Sequence, residues 1–160
     1  MLQRLTLPLL ALVAALAAPP ALAQRTLSVA PYALPENGAV AVAVPKGLPD
    51  EGVFAELDAR AGGALRRAAT AAGFTGDRGA VLNLPGVGPF EQVVLVGTGE
   101  DATSPRLLED VGGLVGQAGV LSAAPRIALL WPGAGAEHLL LGADLGHYTF
   151  RQYRNVDPAA

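Results

Sequence analysis

The sequence predicts an α/β protein, and two observations lead to this class. Short segments rich in β-branched residues alternate with longer segments in which apolar residues recur every three or four positions. Two of the short segments contain near-continuous apolar runs, Val93–Val96 and Ile127–Leu130, which are typical of strands covered on both faces. We therefore predict a mixed, partly parallel sheet flanked by helices in a three-layer sandwich.

Five segments are predicted to be strands because they are short, rich in apolar or β-branched residues and separated by turn residues. They are Thr26–Ala30, Gly38–Val44, Ala80–Pro85, Gln92–Gly97 and Arg126–Trp131. A Gly-Val-Gly-Pro turn signal at residues 86–89 separates the third segment from the fourth.

The first helical pattern follows the second strand, and Asp50 is placed to cap it. Its apolar positions recur every four residues, at Val53, Leu57 and Ala61. A Gly-Gly pair interrupts the pattern at 62–63, and the pattern then resumes until Gly73, which is suited to end a helix. We predict that Arg66 and Arg67 are solvated residues of the helical segment between Gly63 and Gly73.

Ser104 followed by Pro105 predicts the start of a longer helix, because these residues are favoured at the N-cap and at the first helical position. Its apolar face consists of Leu107, Val111, Leu114 and Ala118. Three glycines lower its helix propensity, and we expect close packing against the sheet to offset them. These glycines are Gly112, Gly113 and Gly116. A last helix is predicted to begin near Glu137.

Aromatic and basic residues crowd together in the closing segment. Leu141, Leu145 and Tyr148 fall at helical positions 0, 4 and 7, so we expect them to form one apolar stripe that faces the sheet. Phe150 and Tyr153 extend the packing toward whatever follows. We therefore take Tyr148, Phe150 and Tyr153 as candidate partner-packing residues.

The first residues of the chain have the three parts of a secretory signal peptide. A basic start precedes the uncharged apolar run Leu7–Ala18, and the small residues Ala21 and Ala23 suit signal peptidase. The run is shorter than the roughly 20 residues of a membrane-spanning helix. We predict that residues 1–23 are the signal peptide and that residues 24–160 form one exported domain, periplasmic or secreted, without membrane attachment after cleavage.

The charge of the chain excludes one class of partner. The sequence has 11 basic and 14 acidic residues, and loss of Arg4 with the signal peptide leaves 10 − 14 = −4. Non-specific binding of nucleic acid needs a basic surface, so we expect no nucleic-acid partner. The chain contains no cysteine, so an exported form would depend on its hydrophobic core without disulfides.

The residues indicate neither catalysis nor metal binding. His138 and His147 are nine positions apart, on opposite faces of a helix, whereas a helical zinc pair is three or four apart. We interpret both as surface histidines. Paired carboxylates are explained by capping, by the helix dipole or by solvated helix faces. These pairs are Asp50-Glu51, Glu100-Asp101 and Glu109-Asp110. We predict no catalytic and no metal-binding residue in this chain.

The best candidate for a ligand site is the turn after the fourth strand. Gly97, Thr98 and Gly99 precede a helix, and such a loop can direct backbone N–H groups toward a phosphate or another anion. The third glycine of a dinucleotide fingerprint is missing, however, and Glu100 and Asp101 stand where the anion would sit. We therefore favour a structural turn over an anion loop.

Residues 62–100, GGALRRAATAAGFTGDRGAVLNLPGVGPFEQVVLVGTGE, resemble the N-terminal domain of the leucyl aminopeptidases, the two-metal cytosol aminopeptidase family. In that family a Gly-Gly-x-Leu helix ends in Gly-Phe-x-Gly, and a strand pair leads to a Val-Gly-x-Gly turn. The closing segment is similar to the family's Gly-x-x-x-Gly-x-Tyr-x-Phe-x-x-Tyr pattern. Here that pattern is carried by Gly142, Gly146, Tyr148, Phe150 and Tyr153.

The resemblance implies an α/β fold similar to macro domains and a domain without catalytic residues. In that family the two divalent metals, zinc or manganese, and the catalytic Lys and Arg belong to a separate C-terminal domain. The hallmark of that domain, Asn-Thr-Asp-Ala-Glu-Gly-Arg, is absent from this sequence. The resemblance therefore implies no cofactor in this chain itself.

Three interpretations follow from the resemblance. We expect a non-catalytic, exported domain that packs against an aminopeptidase catalytic domain or against copies of itself. One alternative is an incomplete aminopeptidase whose catalytic half is missing. The other is a free-standing ligand-binding module of macro-like fold that uses the Gly97–Gly99 turn, which the acidic residues beside that turn disfavour.

Overall fold

The computed structural model describes residues 32–100, 104–121 and 126–147, which form four strands and four helices. The elements are β1 (Gly38–Pro45), α1 (Gly52–Arg60), α2 (Ala64–Ala71), β2 (Val81–Val87), β3 (Phe90–Gly99), α3 (Pro105–Leu121), β4 (Ile127–Leu130) and α4 (Ala136–His147). The predicted α/β class is confirmed. The predicted strand Thr26–Ala30 lies outside the described residues.

The strands form one mixed sheet in the order β2-β3-β1-β4. β1 is parallel to both of its neighbours and places Val42 opposite Leu95 on one side and opposite Leu130 on the other. β2 is antiparallel to β3, as a short connection between neighbouring strands requires. The sheet is therefore partly parallel, as predicted.

Successive residues of the central strands enter two separate cores, because neighbouring side chains of a strand point to opposite faces. Val40 and Val42 of β1 pack with α1 and α2, while Ala41 packs with α3 and α4. In β3, Leu95 belongs to the first core and Val94 to the second. Helices therefore cover both faces of the sheet, and this explains the near-continuous apolar runs.

The start of α1 differs from the prediction. Its N-cap is Glu51, without a side-chain capping hydrogen bond. Asp50 does not cap the helix, and its exposed carboxylate lies 3.1 Å from the guanidinium of Arg66. The interruption at Gly62-Gly63 is confirmed, and Gly73 follows the end of α2 in a left-handed conformation with a φ of 70°.

Arg66 is not the solvated residue that the sequence predicted. Its guanidinium donates hydrogen bonds to the carbonyl oxygens of Leu48 (2.6 Å) and Pro49 (2.8 Å). It also lies 5.2 Å from the centre of the Phe54 ring and 3.6 Å from Asp58 of α1. Arg66 thus ties the loop that leads into α1 to helix α2. Its neighbour Arg67 is exposed, as predicted.

The start of α3 is confirmed. The hydroxyl oxygen of Ser104 accepts a hydrogen bond from the backbone N–H of Leu107 at 3.3 Å, and Pro105 is the first helical residue. The predicted apolar face packs in the second core and consists of Leu107, Val111, Leu114 and Ala118.

The tightest contacts of the α3 glycines are with α4 and not, as predicted, with the sheet. A Cβ on Gly112 would overlap the carbonyl oxygen of Leu139, and a Cβ on Gly142 would overlap that of Glu109. The backbones of the two helices therefore touch, which only glycine permits at these positions. Among these glycines, Gly112 makes the close approach, and its partner is the neighbouring helix.

Candidate functional site

The predicted anion loop lies at the carboxyl ends of two parallel strands. β1 runs into Lys46, and β3 ends in the turn of Gly97, Thr98 and Gly99. The chain leaves β1 toward the face covered by α1 and α2, and it leaves β3 toward the face covered by α3 and α4. Such a switch between neighbouring strands creates a crevice in which α/β proteins commonly bind ligands.

An open cleft of about 330 Å³ occupies this crevice. Its lining consists of Lys46, Asp77, Arg78, Thr98, Gly99 and Glu100. The ammonium of Lys46 lies 3.6 Å from Asp77, and the guanidinium of Arg78 lies 3.2 Å from Asp110. A hydrogen bond from the Thr75 hydroxyl (2.6 Å), together with Lys46, lowers the pKa of Asp77 below its ordinary value of 3.8. Both cations of the cleft are therefore paired with carboxylates.

The two glycines of the loop serve the packing of the chain. The N–H of Gly97 donates to the carbonyl of Ala80 at 2.7 Å, and the N–H of Gly99 donates to the carbonyl of Gly76 at 2.9 Å. A Cβ on Gly97 would overlap the carbonyl oxygen of Asp77. The segment before β2 thus lies directly against the end of β3, and both glycine amides are used within the protein.

Thr98 contributes the one polar side chain of this loop. It is only 1% exposed, and its hydroxyl oxygen has no hydrogen-bond partner in the part of the chain that the structure describes. Burial of a hydroxyl without a partner costs free energy. Anion binding at this loop would therefore depend on side chains such as Thr98 rather than on the two glycine amides.

The second candidate region is the surface formed by α3 and α4. Nδ1 of His138 lies 2.9 Å from Oε1 of Glu109, and both side chains are half-buried. His138 is therefore not a plain surface histidine, because it links the two helices. Asp110 accepts a hydrogen bond from Arg78 of the loop before β2. The carboxylate pair at 109–110 thus connects different elements and does not serve the start of α3.

Helix α4 buries a different face from the one predicted. Leu139 and Ala143 are buried, and Gly142 packs against the backbone of α3. Leu141 and Leu145 are 49% and 65% exposed. The prediction that these two leucines face the sheet is wrong, because the small residues of α4 bring the opposite side of the helix against α3.

An open groove of about 610 Å³ runs beside the exposed Leu145. Its lining includes Leu107, Leu114, Gln117, Leu145 and Gly146. The predicted partner-packing residues Tyr148, Phe150 and Tyr153 lie outside the described residues. The sequence contains one signal for the observed orientation, since the four-residue spacing of Gly142 and Gly146 marks the close-packed side of α4.

Two further properties concern residues 32–100, 104–121 and 126–147. No helix in these ranges is long and apolar enough to cross a membrane. The same ranges contain no group of three His, Cys, Asp or Glu side chains placed to hold a metal ion.

Most of the chain matches one known domain family. The family model that matches residues 39–156 is described as the N-terminal domain of the cytosol aminopeptidase family. The chain belongs to this family, and the resemblance seen in the sequence is confirmed.

Two comparisons show how much of a family member the chain represents. It is 37% identical over 114 residues to a probable cytosol aminopeptidase of Geobacter sp. (strain M21), and the match covers 66% of this chain and 23% of that protein. A lysine-to-glutamate mutant of tomato leucine aminopeptidase shares the fold with a TM-score of 0.60 at 22% identity, over 70% of this chain and 25% of that one. The chain thus spans about a quarter of the length of these relatives.

Proposed function

We propose that the chain is a non-catalytic docking domain that packs against an aminopeptidase catalytic domain through α4. The observation that carries this proposal is the exposure of Leu141 (49%) and Leu145 (65%), one turn apart on a helix whose other side is tightly packed. Apolar side chains next to an open groove are typical of a surface that a partner covers.

The comparisons support a partner that follows this domain in the family. About three-quarters of the Geobacter relative lies outside the match, which covers 23% of it. The family match extends beyond α4 to residue 156. In a full-length member the rest of the chain therefore continues from the α4 end, and Tyr148, Phe150 and Tyr153 would extend the apolar surface toward it.

Association with the remaining C-terminal part of the Geobacter relative, produced as a separate chain, tests the docking surface. Leu141→Asp combined with Leu145→Asp should abolish co-purification, because burial of two carboxylates without partners is strongly unfavourable. Val81→Asp is the matched control, since Val81 is 42% exposed on the edge strand β2. Equal behaviour of the two variants would contradict the proposal.

The absence of catalysis is tested with a leucine anilide. We expect no hydrolysis by the purified chain with added zinc or manganese, because its 160 residues lack the family's Asn-Thr-Asp-Ala-Glu-Gly-Arg motif. The full-length Geobacter relative is the positive control. Metal-dependent turnover that co-elutes with the chain would contradict a non-catalytic role. A downstream reading frame that encodes this motif would assign the chain to an incomplete aminopeptidase.

The buried Thr98 hydroxyl favours a second candidate function, the binding of a small ligand in the cleft beside Lys46. Calorimetry with ADP-ribose tests this function, with Thr98→Val as a nearly isosteric control. Saturable binding that the substitution weakens would support it, and no heat of binding would contradict it. The carboxylates of Asp77 and Glu100 in the cleft act against an anionic ligand.

We also propose that the protein is exported, with residues 1–23 as its signal peptide. The support is the sequence pattern, an apolar run followed by small residues at positions 21 and 23. An exported member of this family would carry its N-terminal domain into the periplasm or the medium.

A further inference from the structure

Gly113 of α3 is a glycine that the contacts inside the domain do not require. A Cβ on Gly113 would meet its nearest atom, the carbonyl oxygen of Gly142, at 3.6 Å, which is an ordinary contact. A Cβ on Gly112, Gly142 or Gly146, by contrast, would overlap the backbone of the opposite helix. The φ of Gly113 is not positive, so its backbone conformation suits any residue. Because glycine weakens a helix, the described residues give no reason for glycine at position 113.

Gly113 lies in the middle of the α3 surface that lines the groove beside Leu145. Asp110, Gly113, Leu114 and Gln117 fall at helical positions 0, 3, 4 and 7, so they share one stripe of the helix. All four line the groove. Gly113 is the only member of this stripe without a side chain, so the stripe has a gap at its centre.

The two sides of the groove are held at a fixed distance. The backbones of α3 and α4 touch where Gly112 meets Leu139 and where Gly146 meets Gly113. Leu139 and Ala143 anchor α4 from its buried side. The groove therefore exists before a partner arrives, and its helices have no slack with which to accommodate a larger residue at position 113.

The groove offers a partner apolar contacts rather than free charges. Asp110 accepts a hydrogen bond from Arg78 at 3.2 Å, and Glu109 lies 2.9 Å from Nδ1 of His138. A charged side chain of a partner would compete with these pairs, whereas an apolar one gains free energy by leaving water. The apolar side chains that line the groove are Leu107, Val111, Leu114 and Leu145.

We propose that the docking partner inserts an apolar side chain into this groove at Gly113, and that glycine leaves the room for it. The inference rests on the proposed docking function and adds the position at which the partner enters the domain. The family match continues to residue 156, past Leu145 and Gly146 of the groove. Since the match covers 23% of the Geobacter relative, the rest of a full-length member follows the groove along the chain and is the partner placed to fill it.

Gly113→Ala tests this insertion, because it adds one methyl group to the groove without a clash inside the domain. Binding to the remaining C-terminal part of the Geobacter relative, produced as a separate chain, should weaken at least about tenfold, because an added methyl group overpacks a close contact. Thermal unfolding of the isolated variant should show no loss of stability. Ala71→Val is the control, since it adds bulk at an exposed position of α2, on the other face of the sheet, and should leave binding unchanged.

Leu141→Asp combined with Leu145→Asp separates this inference from the docking function. If the double variant loses binding while Gly113→Ala binds like the unsubstituted chain, docking stands and the insertion at Gly113 is wrong. If neither loses binding, or if the unsubstituted chain does not bind, both proposals are wrong. A loss of stability in isolated Gly113→Ala would show that the chain itself fills the groove and would overturn the insertion. Self-association that Gly113→Ala abolishes would assign the groove to a second copy instead.

Discussion

Arg66 connects three parts of the chain that are separated in sequence. Its guanidinium contacts the loop before α1 through Leu48 and Pro49, and Asp58 of α1 accepts a hydrogen bond from the backbone N–H of Arg66 at 2.9 Å. Leu48 has a φ of 54°, which is unfavourable for a residue other than glycine. The hydrogen bond from Arg66 to its carbonyl therefore stabilises a strained turn.

We expect Arg66→Ala to lower the free energy of unfolding by about 2–3 kcal/mol, because it leaves the carbonyls of Leu48 and Pro49 without their donor and Asp58 without its cationic partner. Arg67→Ala is the matched control. Arg67 is exposed and makes one long hydrogen bond of 3.5 Å, so its loss should change stability by less than about 0.5 kcal/mol. Chemical denaturation measures both, and equal effects would contradict the role of Arg66.

The hydroxyl of Tyr32 should report on the attachment of the N-terminal segment to α1. Burial, followed by the hydrogen bond to Glu56 and the charge of that carboxylate, raises the pKa of Tyr32 from 10.0 to about 12. Since the folded-state pKa is the higher one, this contact is fully stabilising below pH 10 and is lost as the pH rises through about 12.

Ultraviolet titration of tyrosinate, in a chain in which Tyr148 and Tyr153 are replaced by Phe, measures this pKa directly. Glu56→Gln should lower it only in part, because burial is the largest cause of the shift and remains. An unchanged titration in this variant would show that Glu56 does not contact Tyr32.

At the level of elements, the packing of α3 on α4 depends on which glycines face the partner helix. A Cβ on Gly112 would overlap the carbonyl oxygen of Leu139, whereas a Cβ on Gly113 would meet its nearest atom at 3.6 Å. Gly112→Ala should therefore force the helices apart and destabilise the protein by about 1–3 kcal/mol. Gly113→Ala should be neutral or stabilising by up to about 1 kcal/mol, because alanine favours the helix.

Thermal unfolding of these two adjacent variants compares the same substitution in the same helix. A gain in both would show that the backbones of α3 and α4 do not touch at Gly112. A similar loss in both would show that Gly112 is no closer to α4 than Gly113 is.

The elements themselves could be predicted from local patterns, because strand alternation, the Ser104 cap and the glycine interruptions act over a few residues. The buried face of α4 could not be predicted from local patterns. Leucines occupy positions 139, 140 and 141, so that apolar residues surround the helix. Only the backbone contact of Gly142 with α3, a partner distant in sequence, decides which of them lie inside.

The candidate site, too, could be predicted only as far as local sequence patterns reach. Gly97-Thr98-Gly99 was visible in the sequence as a turn after a strand, and its position at the carboxyl end of β3 is as expected. The use of the Gly97 and Gly99 amides by Ala80 and Gly76 could not be predicted, because those partners lie about 20 residues earlier in an irregular segment. The role of Arg66 escaped prediction for the same reason, since Leu48 is 18 residues away.

At the level of the whole molecule, the domain presents two adjoining surfaces with different properties. The carboxyl ends of β1 and β3 form a polar cleft with paired charges. The groove beside Leu145 shares Arg78 with this cleft, but most of its lining consists of apolar residues and glycines. The two helical layers enclose separate cores, so that a substitution on the outer side of α4 leaves the core beneath α1 and α2 intact. The docking surface can therefore be altered without unfolding the domain.

The export proposal makes a prediction for the molecule as it is produced. If residues 1–23 are removed, the protein recovered outside the cytoplasm should have the mass of the remaining 160 − 23 = 137 residues. Ala23→Phe should block this cleavage, because signal peptidase requires a small residue directly before the cut. Leu22→Phe is the matched control, since the position between the two small residues is not restricted, and it should be cleaved normally. Intact mass of the periplasmic and cytoplasmic fractions distinguishes the outcomes. A chain that keeps all 160 residues and stays in the cytoplasm would contradict export.

Because the sequence has no cysteine, the exported form should unfold at the same temperature with and without reductant.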